Sequence, residues 1–498
     1  MDILLALDQG SSSSRALAFD SEGAVIARSQ AAVTPLHPRE GWVEFDPEEL
    51  VRSQTETLEQ AVRGLPKGAK VAAAGLACQR STVLFWDAKT GKCAANALSW
   101  QDRRAIAQCE PLARKAEDIH RKTGLVLNPF YSLAKILWML ETNVKVRKLL
   151  DAGRLRVGPV SSWLVWRWTG GETFIVDPTM AQRMCLFDIR KMAWDPGLLK
   201  IAGLPLEALP EVQPSAGLEV ILKAAGQKIP LRAALGDQQA AALGLGVLDA
   251  GQTAANDGTG AFLLHNTGAK IQHVQGLLTS VAWSRRGHEP RYLLEGTVNV
   301  AGSGLDWLRG RLGLPLPPEE LATMYGRSTH RVLALLALGG LGAPRWDTKV
   351  LSGFFGVRQG TRPDDLVRAA LDSVAFLISD IADAAAGAGQ KITDVRVSGG
   401  LSWVDGLMQT QADLLQAPVT RLKEHERTAL GAAALAAESA RVAFRVPLEV
   451  EKVFKPAIGA ASAERLKTCW RTFVEGFQGL SRDPKVFEAL LDWEEQFE

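Results

Sequence analysis

Cysteine is scarce in this sequence of 498 residues, and no two cysteines have the spacing of a zinc-ligand pair. The five cysteines are scattered along the chain and odd in number: Cys78, Cys93, Cys109, Cys185 and Cys469. Such a set argues against a disulfide framework and favours reduced thiols. We therefore expect a cytoplasmic protein.

The sequence also lacks dense runs of positive charge and long apolar runs. Its formal net charge is +2, so nucleic acid is not expected as a partner. The apolar run near the N-terminus is too short for a signal peptide and has no basic flank. The most apolar stretch, residues 332–341, is far shorter than a membrane span. We expect a soluble protein that has no membrane partner.

What the sequence does contain is typical of a folded globular chain with 47% hydrophobic and 22% charged residues. A chain of this length predicts two to four domains. Asp46 followed by Pro47 predicts the start of a helix that continues to about Arg63. Alanine-rich stretches predict two further helices, over residues 364–386 and 428–439.

Residues 3–20 predict two strands joined by a polar turn. Apolar residues end abruptly at Asp8, and the turn that follows contains one Gly, four Ser and Arg15. Small residues let backbone N–H groups and hydroxyls approach a phosphate, Arg15 adds positive charge, and Asp8 can hold a hydrated cation. The alternative is a plain hairpin with a serine-rich turn.

A second stretch of the same kind, residues 253–265, has a turn made of Gly258, Thr259 and Gly260. The two hairpins lie about half the chain apart. They predict a duplicated domain that holds one phosphate chain from both sides. We place the domain boundary after Asp249, which gives domains over residues 1–249 and 250–498.

Polar residues follow several predicted strands and are well placed to line a cleft. Arg80 follows the apolar residues 71–77, and Asp237 follows residues 231–235 at the start of a small-residue helix. Residues 96–104 form another polar strand end, with Trp100 in the middle. The structural alternatives are a solvated loop arginine for Arg80 and an N-cap aspartate for Asp237.

Two glycine-rich stretches occur in the second half. Residues 339–344 lack both the G-x-G-x-x-G spacing and the strand–helix setting of a dinucleotide site, so a Rossmann domain is not predicted. Gly399 and Gly400 follow a short strand, where two bare glycines allow a flat ring to lie against the backbone. A tight turn is the alternative.

Taken together, these motifs resemble those of the FGGY carbohydrate kinases, and most closely the glycerol kinases among them. The resemblance runs from Leu5 to about Glu438 and rests on the following matches: the first phosphate loop at residues 6–15, then residues 41–44, 96–104, 236–241, 258–260 and 340–346, a first family signature that is nearly met at residues 130–141, and a second signature at residues 352–372.

The resemblance implies an α/β protein of two ribonuclease-H-like domains, of the actin and sugar-kinase superfamily, with a catalytic cleft between them. It also implies ATP and Mg²⁺ as cofactors and a small polyol or sugar as substrate; a homodimer is a candidate assembly. Asp237 would be the catalytic base, and Asp8 and Asp237 would hold the metal. The implied substrate-binding residues are Arg80, Ser81, Trp100, Phe130, Tyr131, Asp237, Gln238 and Phe262. The implied nucleotide-binding residues are Gly10, Ser11, Ser12, Ser13, Arg15, Gly258, Thr259, Gly260, Gly302, Gly399, Gly400 and Asp405.

Two departures from the glycerol-kinase pattern bear on the substrate. Ser81 stands where glycerol kinases have a glutamate, and Phe130 where they have a tyrosine, although Tyr131 is adjacent. A third departure is the absence of the glycine-rich sugar-bisphosphate effector loop expected just before Ile229, where residues 224–228 stand instead, and a smaller one is Asp405, where an asparagine near the adenine is usual. We expect Ser81 to leave Arg80 unpaired, so that glycerol is accepted poorly and a longer polyol or ketose as well or better. The alternative functions are a pentulose or tetritol kinase and a catalytically silent nucleotide-binding module.

Overall fold

The computed structural model describes residues 2–312, 320–329, 331–486 and 489. The strands of the first half are β1 (Asp2–Gln9), β2 (Ser13–Phe19), β3 (Val25–Ala32), β4 (Glu44–Phe45), β5 (Lys70–Cys78), β6 (Val83–Asp87), β7 (Ala97–Leu98), β8 (Leu155–Pro159), β9 (Ile175–Val176), β10 (Phe187–Asp188), β11 (Ala193–Trp194), β12 (Glu211–Val212), β13 (Ala216–Ala224) and β14 (Gln227–Gly236). Its helices are α1 (Pro47–Arg63), α2 (Ala116–Thr123), α3 (Ser132–Thr142), α4 (Val144–Asp151), α5 (Val160–Trp168), α6 (Pro178–Arg183), α7 (Pro196–Ala202) and α8 (Asp237–Gly244).

The second half repeats this mixture of strands and helices. Its strands are β15 (Thr253–Asp257), β16 (Ala261–Gly268), β17 (Leu278–Trp283), β18 (Arg291–Val298), β19 (Leu333–Leu335), β20 (Gly353–Phe355), β21 (Val395–Ser398), β22 (Val419–Leu422) and β23 (Val450–Phe454). Its helices are α9 (Gly302–Leu312), α10 (Leu321–Arg327), α11 (Pro363–Gly387), α12 (Asp405–Leu415), α13 (Arg427–Ala440) and α14 (Ala460–Arg482).

The two large sheets have the same internal order. In the six-stranded sheet, β13-β14-β5-β1-β2-β3, β1 pairs antiparallel with β2 and parallel with β5, and β14 is parallel to β5. In the seven-stranded sheet, β17-β18-β16-β15-β21-β22-β23, β15 pairs antiparallel with β16 and parallel with β21, and β22 is parallel to β21. The predicted duplication is therefore confirmed.

Parallel pairing brings three strand ends of the first half to one edge of its sheet. Cys78, the last residue of β5, pairs with both Gln9 of β1 and Gly236 of β14. The side chains at and just beyond these strand ends consequently meet at one place. This register explains how Asp8, Arg80 and Asp237, which are far apart in sequence, come to line one cleft.

Helices α8 and α13 pack directly against each other between the halves. A Cβ atom at Gly431 would lie 1.8 Å from the Ala240 carbonyl oxygen, and one at Gly244 would lie 1.9 Å from the Arg427 carbonyl oxygen. Glycine and alanine thus allow the two helix backbones to touch, and an apolar core forms around them from residues of both halves. The domain boundary that we place after Asp249 lies in the segment between α8 and β15, and it remains our proposal.

Candidate active site

A cavity lies between the two halves, and most of the residues that we expected at the active site line it. These are Asp8, Gly10, Ser11, Arg15, Arg80, Ser81, Trp100, Phe130, Tyr131, Asp237, Gln238, Gly258, Thr259, Gly260 and Phe262. The lining thus combines residues of both hairpin turns, several aromatic side chains and Asp237.

The first hairpin contributes an ion pair to this cavity. Asp8 is 2% exposed, and its Oδ2 accepts a hydrogen bond from Nη2 of Arg15. Arg15 also reaches into the other half, where its Nη1 lies 3.1 Å from Oε2 of Glu426. Burial raises the pKa of the Asp8 carboxyl, and the Arg15 charge opposes this shift.

The second hairpin contributes small and neutral groups. The Gly302 N–H donates to the Gly258 carbonyl oxygen at 2.9 Å, which ties the turn to the start of α9. Asn256 Nδ2 donates across the cleft to Gln238 Oε1 at 2.9 Å. The neighbouring Asp257 is fully buried and accepts a hydrogen bond from Gln411 Nε2 at 2.8 Å.

Asp237 is the first residue of α8, and Gly236 occupies the N-cap position. The N-cap alternative for Asp237 is therefore wrong. Its side chain is 26% exposed toward the cleft. Burial raises the pKa of Asp237 to about 6, and the charge of Asp8 adds to the rise against the opposing Arg80.

Arg80 is buried, so the solvated-loop alternative is wrong. Its Nε lies 3.4 Å from Asp237 Oδ1, and its Nη1 lies 3.0 Å from Glu295 Oε2. Its guanidinium carbon is 5.3 Å from the centre of the Phe262 ring. The expectation that Ser81 leaves Arg80 unpaired is also wrong, because Glu295 approaches from the second half of the chain.

A buried lysine supports one part of the cavity wall. Lys135 is fully buried in α3, and its Nζ donates to the carbonyl oxygens of Phe130 at 2.8 Å and of Ser81 at 3.3 Å. Ser81 has a φ of 65°, an uncommon conformation for a residue other than glycine. Burial lowers the pKa of Lys135 to about 7. Lys135 thus holds two segments of the cavity wall in place.

The glycines expected to bind the nucleotide border two further cavities next to the second hairpin. Gly400 lines both, Gly399 lines one, and Gly302 lines the other. Gly399 has a φ of 94°, and a Cβ there would lie 2.4 Å from the Asp257 carbonyl oxygen, so another residue would not fit. The cavity that Gly302 lines has an apolar wall formed by Leu305, Val404 and Trp403.

Three of the expected nucleotide-binding residues, Ser12, Ser13 and Asp405, are not among the described residues that line these three cavities. The Asp405 carboxylate instead pairs with Arg421 at 2.8 Å and with Lys452 at 2.6 Å. Its assignment to the nucleotide remains a prediction that these contacts do not favour.

Sequence reasoning missed several residues of the main cavity, namely Arg183, Asn256, Glu295, Thr297, Asn299, Trp346 and Thr428. Glu295 carried a usable signal, since a carboxylate within the apolar run Tyr292-Leu-Leu-Glu-Gly must find a partner when the strand is buried. The remaining residues are brought to the cavity by long-range contacts that no local pattern reveals.

The described residues contain no group of three or more His, Cys, Asp or Glu side chains that could hold a metal ion. Three carboxylates line the main cavity, those of Asp8, Asp237 and Glu295, and the charge of Asp8 opposes the ionisation of Asp237. A divalent cation that keeps several waters needs only one or two carboxylates together with phosphate oxygens.

Within the described part of the chain, no helix has the length and apolar character to span a membrane.

Comparison with known proteins gives a consistent answer over nearly the whole chain. Residues 3–244 match the N-terminal domain of the FGGY family of carbohydrate kinases, and residues 254–440 match its C-terminal domain. A glycerol kinase of Thermus brockianus is 41% identical over 96% of this chain and 99% of its own. One from Alkalilimnicola ehrlichii is 39% identical over 97% of this chain and 100% of its own.

Solved structures agree with these matches and confirm the predicted fold. The Plasmodium falciparum glycerol kinase with ADP superposes with a TM-score of 0.87 at 28% identity, covering 96% of this chain and 98% of its own. A ligand-bound xylulose kinase from Lactobacillus acidophilus has a TM-score of 0.84 at 20% identity, covering 98% of this chain and 100% of its own. At that identity the second likeness supports the fold alone.

Proposed function

Since the chain belongs to the FGGY family of carbohydrate kinases and is thus an ATP-dependent phosphotransferase with an alcohol group as acceptor, we propose that its acceptor is glycerol or a related short polyol. The observation that carries this proposal is the position of Asp237. Its carboxylate lines the same cavity as two small-residue turns and a cluster of aromatic side chains, and it lies beside Arg80.

In the proposed reaction, Asp237 accepts the proton of the attacking hydroxyl. A pKa of about 6 suits this role, because the carboxylate is ionised at neutral pH yet is more basic than an exposed aspartate. Arg80 orients the carboxylate through the 3.4 Å contact between its Nε and Oδ1 of Asp237. The hydroxyl oxygen then attacks the γ-phosphorus of ATP, and ADP leaves.

The two hairpin turns are proposed to hold the phosphates through backbone N–H groups and the hydroxyls of Ser11 and Thr259. Arg15 supplies positive charge, and the glycines at 302, 399 and 400 form the adenosine side. Mg²⁺ would be held by Asp8 and Asp237 and would neutralise charge on the phosphates. The repulsion between these two carboxylates supports a cation between them.

Glycerol is favoured over a longer substrate by the environment of Arg80. The expected preference for a longer polyol assumed a free guanidinium, whereas Arg80 is paired with Asp237 and Glu295. The glycerol kinases that resemble this chain at about 40% identity support the same choice. A pentulose or tetritol kinase remains the second candidate because Ser81 is smaller than a glutamate. The retention of Asp8, Asp237 and both turns argues against a catalytically silent module.

An assay of ADP release tests the substrate proposal. The purified protein, with ATP and Mg²⁺, would be given glycerol, erythritol, ribitol and D-xylulose, and kcat/KM measured for each. We expect glycerol to give the highest value. A kcat/KM for xylulose or erythritol more than tenfold above that for glycerol would replace the proposal with its second candidate.

The cellular compartment and the oligomeric state also remain proposals. All five cysteines lie in the described part of the chain and are free, which supports a reducing, cytoplasmic compartment. A homodimer is a candidate assembly, and its mass in solution can be measured by light scattering.

A further inference from the structure

Glu295 is the centre of a buried charge cluster at the floor of the main cavity. It lies on β18, is fully buried, and its Oε2 accepts hydrogen bonds from Arg80 Nη1 at 3.0 Å, from Ser280 Oγ at 2.6 Å and from Arg183 Nη2. Both arginines come from the first half of the chain and are themselves buried. The cluster therefore joins the two halves at the cavity.

One hydrogen-bond acceptor and one donor of this cluster have no partner among the described residues. Among the described residues, neither Oε1 of Glu295 nor Nε of Arg183 has a hydrogen-bond partner, although both atoms are shielded from water. Both residues line the main cavity. Leaving a buried polar atom unpaired is costly, so an unpaired acceptor and an unpaired donor on two residues that contact each other and line one cavity point to a missing partner.

A hydroxyl group is the ligand that satisfies both atoms, because it donates one hydrogen bond and accepts others. The rest of the cavity agrees with a small polyol. The Tyr131 ring lies 6.0 Å from the Arg183 guanidinium carbon, and the Phe262 ring lies beside Arg80, so the site has apolar walls around a few polar groups.

We propose that Glu295 and Arg183 form a second hydroxyl site of the acceptor pocket, which recognises a hydroxyl other than the one that is phosphorylated. The proposal rests on the proposed function and deepens it. It assigns the choice between a triol and a diol to a carboxylate of the second half of the chain, and it leaves Arg80 to bridge this site and Asp237.

A purely structural role accounts less well for the cluster. A buried ion pair is often no better for stability than apolar side chains of similar volume, so stability alone does not explain three buried charges here. The partly buried pair of Arg104 and Glu44, at 2.7 Å, lies outside the cavity lining. It offers a control for removing the glutamate of an arginine–glutamate pair away from the cavity, where Arg104 keeps Asp102 as a second partner.

The test compares substrates that differ by one hydroxyl. Wild type, Glu295→Gln and the control Glu44→Gln would be assayed for kcat/KM with glycerol, propane-1,2-diol and propane-1,3-diol. The missing hydroxyl removes one hydrogen bond to a charged group, so wild type should prefer glycerol to at least one diol by about 10–100-fold. Glu295→Gln should lower kcat/KM for glycerol by about 10–100-fold and change that for this diol less than threefold. Glu44→Gln should keep the wild-type ratio.

An equal loss of kcat/KM on all three substrates in Glu295→Gln would assign Glu295 a structural role and overturn the proposal, as would an unchanged ratio. If this variant does not fold, as judged by circular dichroism, Glu295→Asp decides the question. It keeps the charge but withdraws the oxygen, so it should lower the same ratio. If wild type phosphorylates none of the three, the proposed function fails separately. Calorimetric titration with erythritol then decides, and equal affinity of wild type and variant would overturn the site.

Discussion

The two hairpins of the cleft have one backbone plan and opposite chemical character. In each hairpin, the second cross-strand residue pair from the turn lines the cavity. This pair is Asp8 opposite Arg15 in the first hairpin and Asn256 opposite Phe262 in the second. The first pair is an ion pair and the second is an amide and an aromatic ring. Duplication has therefore preserved the frame while the side chains on it have diverged.

The same contrast continues at the helices that follow the outer parallel strands. Asp237 is the first residue of α8 after β14, and Arg427 is the first residue of α13 after β22. Phosphoryl transfer needs one base, so a second base at the start of α13 would have no role in the reaction. The comparison thus predicts that catalysis depends on the acidic groups of the first half, while the second half holds the nucleotide and closes the pocket.

The sharpest test of this division is the replacement of Asp237. Asp237→Asn keeps the shape but removes the proton acceptor, so kcat should fall about 10²–10⁴-fold, the usual contribution of a positioned general base. The affinity for ATP, measured by calorimetry, should change little. Near-normal kcat with every substrate that wild type accepts would show that the base lies elsewhere.

A smaller loss is expected at the matching positions of the hairpins. Asp8→Asn should raise the Mg²⁺ concentration that gives half-maximal rate by about 10–100-fold, as changes around metal sites do. Asn256→Asp adds the carboxylate at the equivalent place in the second hairpin. Introduced into Asp8→Asn, it should leave the Mg²⁺ requirement raised if the hairpins have distinct roles. A recovered Mg²⁺ dependence in the double variant would make the two hairpins interchangeable.

The sequence predicts the backbone plan well because its cues are local. Apolar runs, glycine-rich turns and the cap at Asp46 specify the hairpins and α1, which runs over Pro47–Arg63 as expected. The chemistry of the site depends instead on contacts between distant segments. Burial of Arg80, its pairing with Glu295 and the raised pKa of Asp237 arise only when both halves are in place. No local pattern around Ser81 reveals that Glu295 lies across the cleft.

The pH dependence of the reaction separates two buried aspartates, one from each half, whose pKa values burial raises to about 6. Asp237 must be ionised to accept a proton, so kcat/KM should rise between pH 5 and 7 and stay level above that. At pH 5 the loss should be about tenfold. Asp257 faces Gln411, so Asp257→Asn should show the same profile. An acidic limb below pH 4.5 would contradict the role of Asp237.

Asp257 should affect stability rather than turnover, which makes it the smallest effect on activity. Its pKa in the folded protein, about 6, lies above the ordinary value of 3.8, because the fully buried carboxylate is costly to ionise. Its contribution to stability is therefore complete below about pH 4 and is lost as the pH rises through 6.

The asparagine of Asp257→Asn stays neutral and can still accept the hydrogen bond from Gln411. Relative to wild type, the variant should gain about 2–3 kcal/mol in the free energy of unfolding between pH 4.5 and 7.5. Urea unfolding of both proteins at the two pH values measures this gain. A difference that does not vary with pH would mean that Asp257 is ionised in the folded state at low pH, and the contrast between the two buried aspartates would then rest on position alone.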